Sequence, residues 1–190
     1  MFPKYGSIFS SCAKAADTPA KAAAATVSAL TEFWTKFLAE YSKGKFVFDG
    51  SSITGPVTTP VVGPISGFNA LTKLEIPPEG YVRVQLQGGG DAFLGLFSLF
   101  SYTLNMSKWF IDCKAGGFIT PVPVPIVADF TAQAIIFKAK MFGAAPNTHE
   151  AAMGILSDGV EDAIKTCITV AEYTGTAGPT QLTGMVTVKF

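Results

Sequence analysis

Leu30-Thr31-Glu32-Phe33-Trp34-Thr35-Lys36-Phe37-Leu38-Ala39-Glu40-Tyr41-Ser42-Lys43-Gly44-Lys45-Phe46-Val47-Phe48 changes its repeat partway along. Up to Tyr41 the apolar residues fall at helical spacing, with Val27, Leu30, Trp34, Phe37, Leu38 and Tyr41 as the stripe. Gly44 stops that pattern, and the apolar run Phe46-Val47-Phe48 that follows reads as a strand ended by Asp49-Gly50. A helix that gives way to a short strand is the unit from which the rest of the chain is read. Upstream, Asp17-Thr18-Pro19 supplies a capping side chain and a proline at the first helical position. Glu32 and Lys36 support the helix four residues apart.

The last fifth follows the same logic. Asn147 and Glu150 form a start resembling a capping box, and the stripe Met153, Leu156, Val160, Ala163, Ile164, Cys167 repeats the spacing of the first helix at an offset of 126 residues. Each helix passes into a β-rich stretch, Phe46–Phe48 or Thr169–Tyr173, and then a Gly-Pro at 55–56 or 178–179. These parallels predict equivalent helices at about 19–43 and 148–168, an internal duplication.

Between them lie two proline-rich runs. Ser51–Phe68 contains Pro56, Pro60 and Pro64, which exclude a helix and a central strand. Gly116–Ala128 places Pro121, Pro123 and Pro125 on one side and Val122, Val124 and Ile126 on the other. Both are expected as extended arms. Lys73–Ile76 and Tyr81–Gln87, around Pro77-Pro78-Glu79-Gly80, suggest a strand pair. Asp129–Phe142 is expected as a helix stopped by Gly143, with a strand over Ile135–Lys140, which alternates, as the alternative. The fold class is α+β, divided into an N-terminal arm (1–18), a helix plus β/proline-rich region (19–87) and a helical region with the terminal helix-strand unit (88–190), together one compact unit.

Composition limits function. The chain has 190 residues, 48% of them apolar and sixteen of them Phe, with 15% charged and a net charge of zero. Disorder needs the opposite balance. Thirteen of the fourteen basic residues are lysines, scattered, with Arg83 the exception, so the basic footprint of a nucleic-acid binder is missing. Cys12, Cys113 and Cys167 are odd in number and far apart, and read as reduced core thiols rather than a disulfide framework. His149 is the one histidine and reads as a helix-cap residue. No secretory signal is expected in Met1–Ser10, where Ile8-Phe9 is too short an apolar run. The uncharged run Ala92–Ser107 is sixteen residues, short of the ~20 that cross a bilayer. A buried helix is expected there.

Motifs for chemistry are scarce. Gly88-Gly89-Gly90-Asp91 lacks the Gly-Lys-Ser/Thr ending of a phosphate cradle and reads as a joint and N-cap. Asp158, Glu161 and Asp162 read as a solvated helix face. No catalytic, cofactor-binding or metal-ligating residue is assigned, and the chain is read as not an enzyme.

What remains is an excess of apolar surface in irregular segments, which suits a subunit of a permanent assembly. The candidate interface residues are Val57, Val61, Val62, Ile65 and Phe68 on the first proline run and Val122, Val124 and Ile126 on the second. Trp34, Phe97, Phe100 and Trp109 are the aromatic anchors.

Leu156–Val170, then Gly175-Thr176-Ala177-Gly178-Pro179 and Gly184-Met185-Val186-Thr187-Val188, resembles the C-terminal pattern of small structural proteins of tailed bacteriophage virions. The resemblance covers about forty residues, with an echo at 19–67. It implies a non-enzymatic subunit of a tail, baseplate or neck, found in the virion and assembled in the host cytoplasm. Its partners would be copies of itself and other virion proteins, with no nucleic acid, small-molecule substrate or cofactor. The alternative is a membrane-associated protein that inserts residues 92–110.

Overall fold

The structure, a computed structural model, describes residues 6–9, 17–41, 46–54, 57–65, 68–70, 74–87, 90–115, 118–124, 126, 128–166 and 168–189. After a helical turn at 6–9, the order is α1 (Pro19–Tyr41), β1 (Phe46–Thr54), β2 (Val57–Ile65), β3 (Phe68–Ala70), α2 (Glu79–Gln87) and α3 (Ala92–Met106). Then come β4 (Trp109–Ala115), β5 (Phe118–Val124), α4 (Thr131–Ala144), α5 (His149–Thr166), β6 (Ile168–Ala177) and β7 (Thr180–Lys189). The class is α+β. Most of the 1–18 arm, Cys12 and Cys167 lie outside the described residues.

The chain forms two compact units that interleave along the sequence rather than follow one another. Residues 1–36, 75–106 and 128–164 make a helical unit; residues 37–74, 107–127 and 165–190 make a β unit. The units do not follow the boundaries expected at 18 and 87. Each helix–hairpin connection crosses from one unit to the other, so no cut along the sequence separates the two.

In the helical unit α1, α3 and α5 each start with a side-chain cap. Thr18 Oγ1 accepts from Lys21 N at 3.3 Å, Asp91 Oδ1 from Phe93 N at 2.9 Å, and Thr148 Oγ1 from Ala151 N at 3.1 Å. The last cap is thus Thr148, one residue beyond the expected Asn147. Asp91 caps as the sequence predicts. The core is aromatic: Phe33, Trp34, Phe97, Phe100 and Phe137 are at most 1% exposed. Phe33 stacks edge-on against Phe100 at 5.4 Å, and Phe97 packs on Phe137 at 5.2 Å. Each buried Phe contributes about 1.5–3 kcal/mol.

The expected strand pair around Pro77-Pro78 is corrected: Glu79–Gln87 is helix. Proline is tolerated at a helix start, Val82 N donates to the Pro78 carbonyl at 3.0 Å, and Glu79 sits favourably in the first turn. The alternation Val82/Val84/Leu86 is misleading, since only Val82 is buried while Val84 and Leu86 face solvent. α2 lies so close to α3 that a Cβ on Gly95 would collide with the Gln85 backbone carbonyl. Ser98 Oγ donates to Gln85 Oε1 at 3.0 Å across the same contact, and Tyr81 meets Tyr102 at 4.9 Å.

α4 is helix as expected, with two adjustments at its ends. Asp129 accepts from both Thr131 N and Thr131 Oγ1, at 2.9 and 2.6 Å, while Phe130 takes the N-cap position. Ala145, at φ 41, closes the helix by donating its N–H to the Met141 carbonyl, so Gly143 is not the stop. Asn105 ties this segment to the end of α3, donating to and accepting from the Ala128 backbone at 2.9 and 2.6 Å.

The β unit holds a four-stranded sheet in the order β2-β1-β7-β6 and a three-stranded sheet in the order β3-β4-β5, with every neighbouring pair antiparallel. The two proline-rich runs are strands, not arms. β2 matches β1 from Phe46↔Ile65 to Thr54↔Val57, and β5 matches β4 from Trp109↔Val124 to Ala115↔Phe118. Both are outer strands of their sheets. Backbone N–H groups alternate sides along a strand, so prolines at even spacing (60 and 64, 121 and 123) lack donors on one side only. An outer strand can spare that side, which is how the runs pair despite their prolines. Pro121 and Pro123 are exposed and Ile126 is buried, in keeping with the expected alternation.

β6 and β7 close through Gly178-Pro179, with Ala177 opposite Thr180. Gly178 has φ 61, and proline at the second loop position requires a negative φ. That combination selects the type II′ turn among two-residue hairpin loops.

Candidate functional site

The expected interface residues separate into three groups. Trp34, Phe97, Phe100, Trp109 and Ile126 are buried, none more than 6% exposed, so they are core residues and not anchors for a partner. Helical spacing marks an apolar face but cannot say whether the chain's own core or a neighbour covers it. Val57, Val61, Val62, Ile65 and Phe68 stand on β2 and β3, and Val122 and Val124 on β5. Their side chains lie outside the described residues.

The exposed apolar residues lie elsewhere. Ile135, Ile136 and Phe142 on α4 are 65%, 53% and 69% exposed, and Val84 on α2 is 63%. Along α4, Ala132, Ile135, Ala139 and Phe142 follow a three-four-three spacing, and all four are exposed. Ala134 and Phe137 hold the opposite face in the core. A helix apolar on both faces was signalled by the adjacent Ile135-Ile136-Phe137, since no single helical stripe can take in all three.

α4 is held in place from its buried side. Phe137 packs on Phe93 and Phe97, and Phe142 lies 6.0 Å from Phe93. Lys138 Nζ donates to Asp91 Oδ2 at 2.7 Å and sits 5.8 Å from the centre of the Phe93 ring. That hydrogen bond, helped by the Phe93 and Leu94 amides, holds the Asp91 carboxyl below the usual carboxylate range. Asp129 is lowered in the same way by the Thr131 hydroxyl and amide. At the other end, Lys140 pairs with Asp162 at 3.2 Å. The acidic group on α5 is exposed at Asp158 and Asp162, as a solvated face would be.

The helical unit also carries a half-open apolar pocket of about 270 Å³ lined by Phe9, Leu30, Leu86, Leu99, Phe100 and Leu156, among others. Thr26 is the one hydroxyl in its wall, and it donates to the Ala22 carbonyl at 2.8 Å. The pocket therefore offers hydrophobic contact without a polar group to orient a ligand. Among the described residues no three His, Cys, Asp or Glu side chains are grouped to hold a metal. No family model, curated protein or solved structure matches the chain.

Proposed function

We propose that the chain is a non-enzymatic structural subunit of a large assembly, a tail, baseplate or neck component of a bacteriophage virion that works by packing against copies of itself and other virion proteins. The observation that carries this reading is the exposed apolar face of α4, Ile135, Ile136 and Phe142, on a helix already anchored through its other side. Large apolar residues clustered on a rigid surface cost free energy in water and gain it at an interface. A charged fraction of 15% and zero net charge add little repulsion between copies.

Insertion of residues 92–110 into a membrane has less support. Phe97, Leu99, Phe100 and Leu104 of α3 are buried within the protein. No helix among the described residues is long and apolar enough to cross a membrane.

Sedimentation without detergent tests the assembly reading. At ~20 µM, subunits sharing standard-sized interfaces should associate, so the full chain is expected well above the 20.0 kDa monomer mass. The double variant Ile135→Asp/Phe142→Asp, with both changes at exposed positions, should sediment as a folded monomer. A single monomeric boundary for the unmodified chain would sink the proposal.

A further inference from the structure

Three parts of the chain share one plan. α1 leads to the hairpin β1–β2, α3 to β4–β5 and α5 to β6–β7. Each hairpin leaves two residues between its strands, since Thr54 pairs with Val57, Ala115 with Phe118 and Ala177 with Thr180. Those residues are Gly55-Pro56, Gly116-Gly117 and Gly178-Pro179, spaced 61 and 62 apart.

The helices agree at a closer level. The 126-residue offset between the first and last helices is twice 63, and residues 63 apart link all three: Leu30, Phe93, Leu156; Trp34, Phe97, Val160; Phe37, Phe100, Ala163. In the second triplet every member is 0% exposed, and in the third none exceeds 1%. Helical periodicity can match two stripes by chance. It does not require the same step to recur and to find the most buried positions of each helix.

The middle copy also shares sequence with the first. Lys45-Phe46-Val47-Phe48-Asp49 corresponds to Lys108-Trp109-Phe110-Ile111-Asp112 at the same step of 63. Past the loop, Thr59-Pro60-Val61 and Pro64-Ile65 correspond to Thr120-Pro121-Val122 and Pro125-Ile126 at a step of 61. β1 has nine residues and β4 has seven, which accounts for the change.

The strand order completes the pattern. In the four-stranded sheet the hairpins stand as β2-β1 then β7-β6, second strand before first in both. Within the β unit β5 comes close to β6, and β4, which is hydrogen-bonded to β3 and β5, comes close to β2. Passing from β6 to β5, β4 and back to β2 gives second before first again. Short β3 is an addition on β4.

We propose that the chain is a single-chain trimer: three tandem modules of about 63 residues, each a helix feeding a two-residue hairpin, with the hairpins in cyclic order around one ring. The three modules stand to one another as three subunits do in a cyclic oligomer. The inference stands independently of the assembly reading. It predicts that any ring built from this chain contains modules in multiples of three.

Cyclic exchange of the modules is the test. Full-length chains are opened between 66 and 67, or between 127 and 128, with residue 190 joined to residue 1. If the modules are equivalent, this joint repeats the direct connections at 66–67 and 127–128. A four-residue linker, which reaches at most about 14 Å, should then serve as well as a twenty-residue one. All four permutants are expected to unfold cooperatively, with urea midpoints within about 0.5 M of the parent. Folding with the long linker but not the short would overturn the proposal, and so would failure of all four. An experimental structure in which the hairpins 46–65, 109–124 and 168–189 are not related by rotations of about 120° would also overturn it.

Discussion

The helical and β units solve the same problem, covering apolar chain, by different means. The helical unit does it with bulk: Phe33, Phe97, Phe100 and Phe137 interlock, and a glycine lets α2 approach α3. The β unit does it with pairing, and even its prolines are placed where an outer strand has donors to spare. Stability in the first should therefore depend on side-chain volume, and in the second on backbone conformation at a few positions.

Core truncation should show the largest effect. Phe97→Ala removes a fully buried ring that touches Phe130 and Phe137, and is expected to cost about 3–5 kcal/mol in urea unfolding. A loss below about 1 kcal/mol would mean that packing is not what distinguishes the helical unit. Two glycines sharpen the comparison. Gly95→Ala drives a methyl group into the Gln85 carbonyl and should cost about 1–3 kcal/mol, despite alanine's better helix propensity. Gly178→Ala forces φ 61 on a residue with a Cβ and should cost about 1–2 kcal/mol. Equal stability of either variant with the parent would remove the reason given for that glycine.

Acid should produce the smallest change. The Asp91 carboxyl lies below its ordinary value in the folded chain, so its contribution is complete above the unfolded value of about 4 and is lost as pH falls through the lowered one. Asp91→Asn keeps a capping side chain but gives up the charge. Its urea midpoint should fall less between pH 7 and pH 3 than that of the parent. An unchanged fall would mean that the Lys138 contact contributes nothing to stability.

The helices were legible where one apolar stripe faced one core, as in α1 and α5. Sequence reading failed where a local rule was applied without its context. Proline rightly excluded central strands, but the runs were expected as free arms, and an outer strand can pair through the side that needs no proline donor. Val82, Val84 and Leu86 alternate like a strand, yet Pro77-Pro78 begins a helix there and Gly95 gives it a neighbour to pack on. The aromatic anchors were correctly seen as the strongest apolar residues and wrongly assigned to a partner. The exposed stripe on α4 was hidden because it shares a helix with Phe137, which is buried. The proposed repeat shows in the sequence only at its double step, between α1 and α5, because the matching positions of α3 are Phe93, Phe97 and Phe100 where the others have a mixture.

The pairing of β1 with β7 joins Val47 to Thr187, 140 residues later in the chain. At about 5–20 residues per second of synthesis, β1 is made roughly 7–28 seconds before its partner exists. β2 can take its place on one side of β1 almost at once, and the prolines of β2 then guard its own far edge. The other side of β1, nine residues long and without a proline, stays open until the C-terminal hairpin emerges. During that interval, two nascent chains side by side could satisfy each other's β1 edges, so the long-range pair makes translation speed and local crowding a determinant of yield.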